Sequence, residues 1–326
     1  MLRWRTQRRR SVATMARPAD GRPGSELDPA APAGDVYRHV LSTLADAFDA
    51  NVCGTLEDAD PEHLHELRVS VRRTRSVLAQ SKRVVPGSVR RRQRRFFGEL
   101  ADVTGPARDL DVYVFGWDEL VADLGSARDV LDPVVAELEV RRVAAHVVLD
   151  QHLQDRRTRQ GLGRWRRWLA DPDDLGRHAT APVGPLVGKR IERAHQQVLR
   201  QGRAISASSP AEDLHELRKD AKVLRYLIEC FGGLYERRPR KAFVARLKAL
   251  QDNLGEHQDA EVQSAHLRRL AHELHGDAAA PDVLLALGGL TELLDQRRRA
   301  ARLAFEQHFA AYQAGADEQV LLPRVD

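Results

Sequence analysis

Leu67, Val71, Thr74 and Leu78 return every three or four residues through HELRVSVRRTRSVL, and the positions between them are mostly charged. That period puts a largely apolar stripe on one face of a helix. The spacing recurs in HELRKDAKVLRYLI, where Leu217, Ala221, Leu224 and Ile228 form the stripe. Period-two alternation is nowhere sustained, so the pattern predicts helices rather than strands. They are expected near residues 35–52, 60–84, 88–104, 109–123 and 128–160, with a short one reaching 170. A second set is expected near 185–203, 211–231, 238–254, 258–276 and 282–313. Between the sets, DPDDLGRHATAPVGP (171–185) is rich in Pro, Gly and Asp and reads as a linker.

The two sets share a register. His65 and His215, Arg68 and Arg218, Leu100 and Leu250, Gly105 and Gly255, and Asp109 and Asp259 all stand 150 positions apart. One matching tetrapeptide could be chance, but a fixed offset over some fifty positions points to an ancestral duplication. Long helices with short connections suggest antiparallel packing. The expected fold is all-α: two antiparallel helical bundles, residues 35–170 and 186–313, related by a pseudo-two-fold axis, with a basic groove or channel between them. Residues 314–326 should fray.

Composition agrees with helix. Leu, Ala, Arg and Glu dominate long stretches, aromatic residues are 5% and charged residues 30%. Residues 1–34 differ: MLRWRTQRRR is an arginine cluster without the apolar core of a secretory signal, and the Pro/Gly/Ala-rich stretch after it should be disordered. No run of eighteen apolar residues occurs, so no membrane span is expected. Cys53 and Cys230 fit neither a disulfide framework nor a zinc pattern, and they read as buried or half-buried thiols in a reducing cytoplasm. Net charge is +5 from 52 basic and 47 acidic residues, so clustering matters more than the total.

The basic residues are clustered. On a helix at about 100° per residue, His65, Arg68, Arg72 and Arg75 fall within an arc of roughly 80°. His215, Arg218, Lys222 and Arg225 do the same, with Lys219 and Tyr226 at the edge. Like charges at this spacing repel, and an anion would relieve them. Arg offers forks that match phosphate oxygens, and a histidine among phosphates should have its pKa raised. Gly105 and Gly255 suit left-handed turns that end helices, with Asp109 and Asp259 then capping the next ones. The alternative role for these aspartates is to orient stripe arginines by ion pairing. Arg108 at the first turn could itself face the anion.

At LHELRVSVRRTRSVL with GPARDLDV, and LHELRKDAKVLRYLIECF with LQDNLGEHQDAEV, the sequence resembles the CHAD domain, the conserved histidine α-helical domain. The likeness covers most of residues 35 to 313, and it departs from the usual pattern at Thr74, where leucine is common. It implies two helical bundles and a basic groove that binds inorganic polyphosphate. By position it carries that role to His65, Arg68, Arg72, Arg73 and Arg75, and to His215, Arg218, Lys219, Lys222 and Arg225. Arg94 and Lys248 are weaker candidates. No strand-rich segment of the kind fused to some members is visible, so the chain reads as a free-standing member. The expectation is a cytoplasmic binding module attached to polyphosphate granules, without catalysis, cofactor or metal.

Other signals are set aside. GPLVGKR lacks the spacing, the hydroxyl residue and the preceding strand of a phosphate loop, and HELH (272–275) is not a zinc-protease motif. Two alternatives stay open. One is a nucleic-acid or protein adaptor using the same basic face, although grooves for single strands usually interleave aromatics and these stripes offer only Tyr226. The other is a metal-dependent phosphohydrolase built on Asp109 and Asp111, or Asp259 and Glu261.

Overall fold

Helix α1 (Ala33–Leu56) buries Tyr37, Val40, Leu41, Leu44 and Phe48, the spacing of a single helical face. The computed structural model to which it belongs describes residues 26–172, 174–274 and 280–315. Helix α2 (Pro61–Gln80) starts where the Asp60 carboxylate accepts the Glu62 amide at 2.8 Å and proline takes the first helical position. Then come α3 (Gly87–Phe115), α4 (Trp117–Leu120), 3₁₀ turns over Ala122–Leu131, α5 (Asp132–Gln154) and α6 (Arg156–Ala170). After the linker, α7 (Val183–Ala204), α8 (Ala211–Cys230), α9 (Arg237–Glu273) and α10 (Pro281–Ala314) complete the chain, with a 3₁₀ turn at Gly232–Leu234. No strand occurs among the described residues, and no helix there is long and apolar enough to cross a membrane.

Two expected breaks are absent. Helix α3 runs through Gly105 and Pro106, and α9 runs through Gly255. Neither glycine has a positive φ, and Asp109 and Asp259 therefore lie inside helices rather than capping them. Tertiary burial explains the continuity. Phe97 and Leu100 precede the first glycine in the core and Ala107 and Tyr113 follow it; Leu250 and Leu254 precede the second and Leu267 and Leu270 follow it. Each large side chain stabilises by about 1.5–3 kcal/mol when buried, enough to outweigh a helix-interior Gly at about 1 and Pro at about 3.

The apolar core does not divide at the linker. One cluster combines Tyr37, Leu67 and Leu100 with Leu217, Leu224 and Leu250. A second joins Trp117, Leu131 and Leu138 to Leu267, Leu287 and Leu294. Thr74 is buried.

Residues 26–34, the end of the segment expected to be disordered, are held in place. The Ala33 and Gly34 amides bond Ala181 and Ala179 carbonyls at 2.9 and 2.8 Å, and the Val183 and Gly184 amides return to Ala31 and Pro29 at 3.0 and 2.9 Å. Pro32 thus bridges Pro182, and Leu27 and Ala31 pack on the main core. The arginine cluster at 1–10 and most of the expected C-terminal tail lie outside the described residues. Cys230 is buried as expected, but Cys53 is exposed, its thiol 3.1 Å from a Glu57 carboxylate oxygen.

Candidate functional site

Helices α2 and α8 present their apolar faces to the core and touch each other, so the charged faces of both meet at one place. Beside them opens a cavity of about 760 Å³. Its walls are α2 (His65, Glu66, Val69, Arg72, Arg73), α8 (Lys222, Arg225, Tyr226, Ile228, Glu229) and the start of α9 (Arg240, Lys241, Val244, Ala245, Lys248). Seven Arg and Lys side chains line it against two carboxylates, so its potential is strongly positive. A neighbouring cavity of about 840 Å³ shares Lys222 and Arg225 and adds Arg218, Asp259 and residues of α9 and α10. That second cavity is mixed in charge, with Glu119, Asp252 and Glu256 also on its walls.

The expected binding residues divide by what they touch. Arg68 is 9% exposed and anchored to α3, its Nη1 donating to the Ala101 carbonyl at 3.1 Å and to Thr104 Oγ1 at 2.8 Å. Its equivalent Arg218 donates to Asp259 at 2.8 Å, the ion-pairing role considered for that aspartate. A Cβ on Gly105 would sit 3.6 Å from Arg68 Nη1, and one on Gly255 3.8 Å from Arg218 Nη2, so each glycine lies beneath a stripe guanidinium. Arg73 is buried and ties α2 to α8 through Glu229 at 2.8 Å, while its Nε and Nη1 lack partners. Arg72 is exposed and lines the more basic of the two cavities. Tyr226 is buried beneath the Arg225 guanidinium, 5.7 Å from its ring centre.

Other candidates stand apart. Arg75 and Arg94 are exposed but line neither cavity. His215 bonds Gln258 through Nδ1 at 2.7 Å, and Lys219 pairs with Glu216 at 2.8 Å, both at the exposed surface. Arg108 donates to the Pro61 carbonyl at 3.3 Å, close enough to His65 for its charge to be felt. Lys248 lines the basic cavity and pairs with Asp252 at 2.6 Å. Arg240 and Lys241 were missed. Their signal is the basic run RRPRK at 237–241, which lies outside the repeated phrase.

Crowding shows in the proton affinities. Burial, then Arg218 and Arg72, bring the Lys222 pKa down to about 8, against the pull of Asp259. Burial, then Arg72, lowers Arg68 to about 10, which still leaves it charged at neutral pH. Burial, then Arg108, lowers His65, opposed by Glu62; the rise expected among phosphates is absent in the free protein. Burial raises Asp109 against the pull of Arg68 and Arg72. The cavity therefore holds partly dehydrated cations that repel one another, an arrangement that an anion relieves.

Among the described residues, two groups bring three metal-type ligand atoms within 4.8 Å: Glu62 with His65 and Glu66, and Asp58 with Asp111 and His146. Arg142 already bonds Asp58 at 2.7 Å and Asp111 at 3.2 Å in the second group. Around His65 the fields of Arg108, Arg72 and Arg68 oppose a cation. Asp111 is fully buried against Arg142 and His146 and does not join Asp109 as a carboxylate pair.

A model of the CHAD domain matches residues 39–268. The crystal structure of the CHAD domain from the plant Ricinus communis superposes with a TM-score of 0.70 at 22% identity, covering 95% of this chain and 99% of that one. PptA from Streptomyces chartreusis superposes with a TM-score of 0.65 at 20% identity, covering 86% and 99%. No curated protein matches the sequence.

Proposed function

Because the chain belongs to the CHAD domain family, we propose that it binds inorganic polyphosphate in the cavity between α2, α8 and the start of α9. The observation that carries this reading is that cavity's seven cations to two carboxylates, where burial first, and then the neighbouring Arg218 and Arg72, lower the proton affinity of the Lys222 ammonium. A phosphate chain supplies about one charge per unit at a spacing that Arg forks and Lys points can meet in succession. The cavity offers no open aromatic platform, since Tyr226 is covered by Arg225, and this favours a chain without bases. We read the protein as a binding module rather than an enzyme. Asp109 and Asp111 do not converge, and Asp259 is engaged by Arg218. Residence in the cytoplasm at polyphosphate granules belongs to the same proposal.

The test is a polyphosphate titration of the purified protein at two salt concentrations, with single-stranded RNA of equal charge as competitor. Binding should be tight, weaken steeply with salt and resist the RNA. Easy displacement by RNA would favour the adaptor reading, and no binding at low salt would overturn the proposal.

A further inference from the structure

A third cavity, of about 700 Å³, lies apart from both basic walls described above and shares no residue with them. It is enclosed by the end of α2, the loop that follows, α7 and the edge of α8 formed by Asp220 and Val223. At about 100° per residue, those two positions project well away from Lys222 and Arg225, so this cavity opens on a different side of α8.

Its chemistry is that of an anion site. Lys82, Arg83, Lys189, Arg190 and Arg193 line it, and Asp220 is its one carboxylate. Arg190 is part of the frame: Nη2 donates to the Lys82 carbonyl at 2.9 Å, Nη1 donates to the Tyr37 hydroxyl, and the guanidinium lies over the Tyr37 ring. The other four are exposed, and none forms an ion pair among the described residues.

The loop is built to hold its cations there. Arg83 has a φ of 71°, a left-handed conformation that an L side chain adopts at a cost. The linker clamps it: the His178 amide bonds the Arg83 carbonyl at 2.8 Å and the Gly176 amide bonds the Val84 carbonyl at 2.9 Å. A Cβ on Gly176 would come within 2.3 Å of the Arg83 oxygen, so only glycine permits this approach. Strain of this kind at a charged residue beside a cavity is a pointer to binding.

We propose that this cavity is a second anion site, for a short condensed phosphate, independent of the α2/α8 wall. Guanidinium forks and ammonium groups suit phosphate oxygens, the Gln80 and Gln197 amides can complete the shell, and no Phe, Tyr or Trp lines the cavity to stack a base, His178 being its one ring. Its volume is that of a pocket for a compact ligand rather than a surface for a partner protein.

The experiment is calorimetric titration of the full chain with tripolyphosphate at low salt. Wild type should show two classes of site. Lys189→Glu with Arg193→Glu alters exposed positions and leaves the clamp intact; it should remove one class. Arg72→Glu with Lys222→Glu should remove the other. Arg156→Glu with Arg159→Glu, on α6, controls for net charge and should keep both. Thermal melts check folding, and Lys189→Gln with Arg193→Gln replaces the charge reversal if that variant fails to fold. Wild-type stoichiometry and affinity in the Lys189/Arg193 variant would overturn the proposal, as would equal losses in the α6 control. A single wild-type site abolished by the Arg72/Lys222 change would overturn it too. A single site abolished only by the Lys189/Arg193 change would uphold it and defeat the α2/α8 reading instead.

Discussion

At Lys222, burial and the adjacent Arg218 and Arg72 bring the ammonium to half-charge at about pH 8. A bound polyanion reverses that shift, so the free site loses its proton in a range where the occupied site keeps it. Binding should therefore take up a proton around pH 8 to 9 and weaken as pH rises through that window. Lys222→Arg, whose charge does not titrate there, should flatten the dependence. Calorimetry in two buffers of different ionisation enthalpy measures the proton directly, and no uptake would remove Lys222 from the ligand's path. His146 offers a second residue-level test, of stability. Its hydrogen bond to Asp111 raises its pKa above the ordinary value of 6.5, against the effect of burial. A group raised on folding contributes fully below its unfolded pKa and loses that contribution as pH climbs through the folded one. The urea midpoint of wild type relative to His146→Gln should fall as pH rises above the ordinary histidine value, and a constant difference would show that the ion pair is inert.

At the scale of elements, glycine separates what the sequence showed from what it hid. The two histidine helices, their apolar faces and the linker were legible because each rests on local periodicity or local composition. The continuity of α3 and α9 was not, because a Gly-Pro pair reads as a stop unless the burial on both sides of it is known. The residues that line the candidate cavity were legible in part. The repeated phrase pointed to Arg72, Lys222 and Arg225, but it could not show that Arg73 would be taken by Glu229 or that α9 would bring Arg240 and Lys241 to the same wall. Gly105→Ala and Gly255→Ala follow from the observed geometry. Both glycines are helical, and each added Cβ would meet a guanidinium nitrogen at ordinary contact distance, 3.6 and 3.8 Å. Gly255→Ala should stabilise by roughly 0.5–1 kcal/mol in thermal or urea unfolding, and Gly105→Ala should gain less, because Pro106 crowds a Cβ on the helical residue before it. A left-handed turn would give the opposite sign.

For the whole molecule, the shared cores predict one unfolding event. Trp165 and Trp168 sit in the larger cluster and Trp117 in the smaller, and both clusters draw on residues from either side of the linker. Helical circular dichroism and tryptophan fluorescence should give coincident transitions, and residues 26–172 expressed alone should fail to fold cooperatively. Two resolved transitions, one per half, would contradict a joint core.

At three places in this structure, positions 150 apart in the sequence come close together. Pro32 bridges Pro182, the Tyr113 hydroxyl reaches the Gln263 carbonyl at 3.3 Å, and Arg72 lies close enough to Lys222 to depress its pKa. Under the proposed duplication, corresponding points meet near a rotation axis, and Arg72 with Lys222 puts that axis at the wall of the basic cavity. A receptor arranged this way cannot tell which end of a linear ligand arrives first. Nucleic-acid strands and peptides have a beginning and an end, so one half would be satisfied while the other met the backbone reversed. A chain of identical phosphates reads the same from either end and would meet both halves alike, as the proposed function requires.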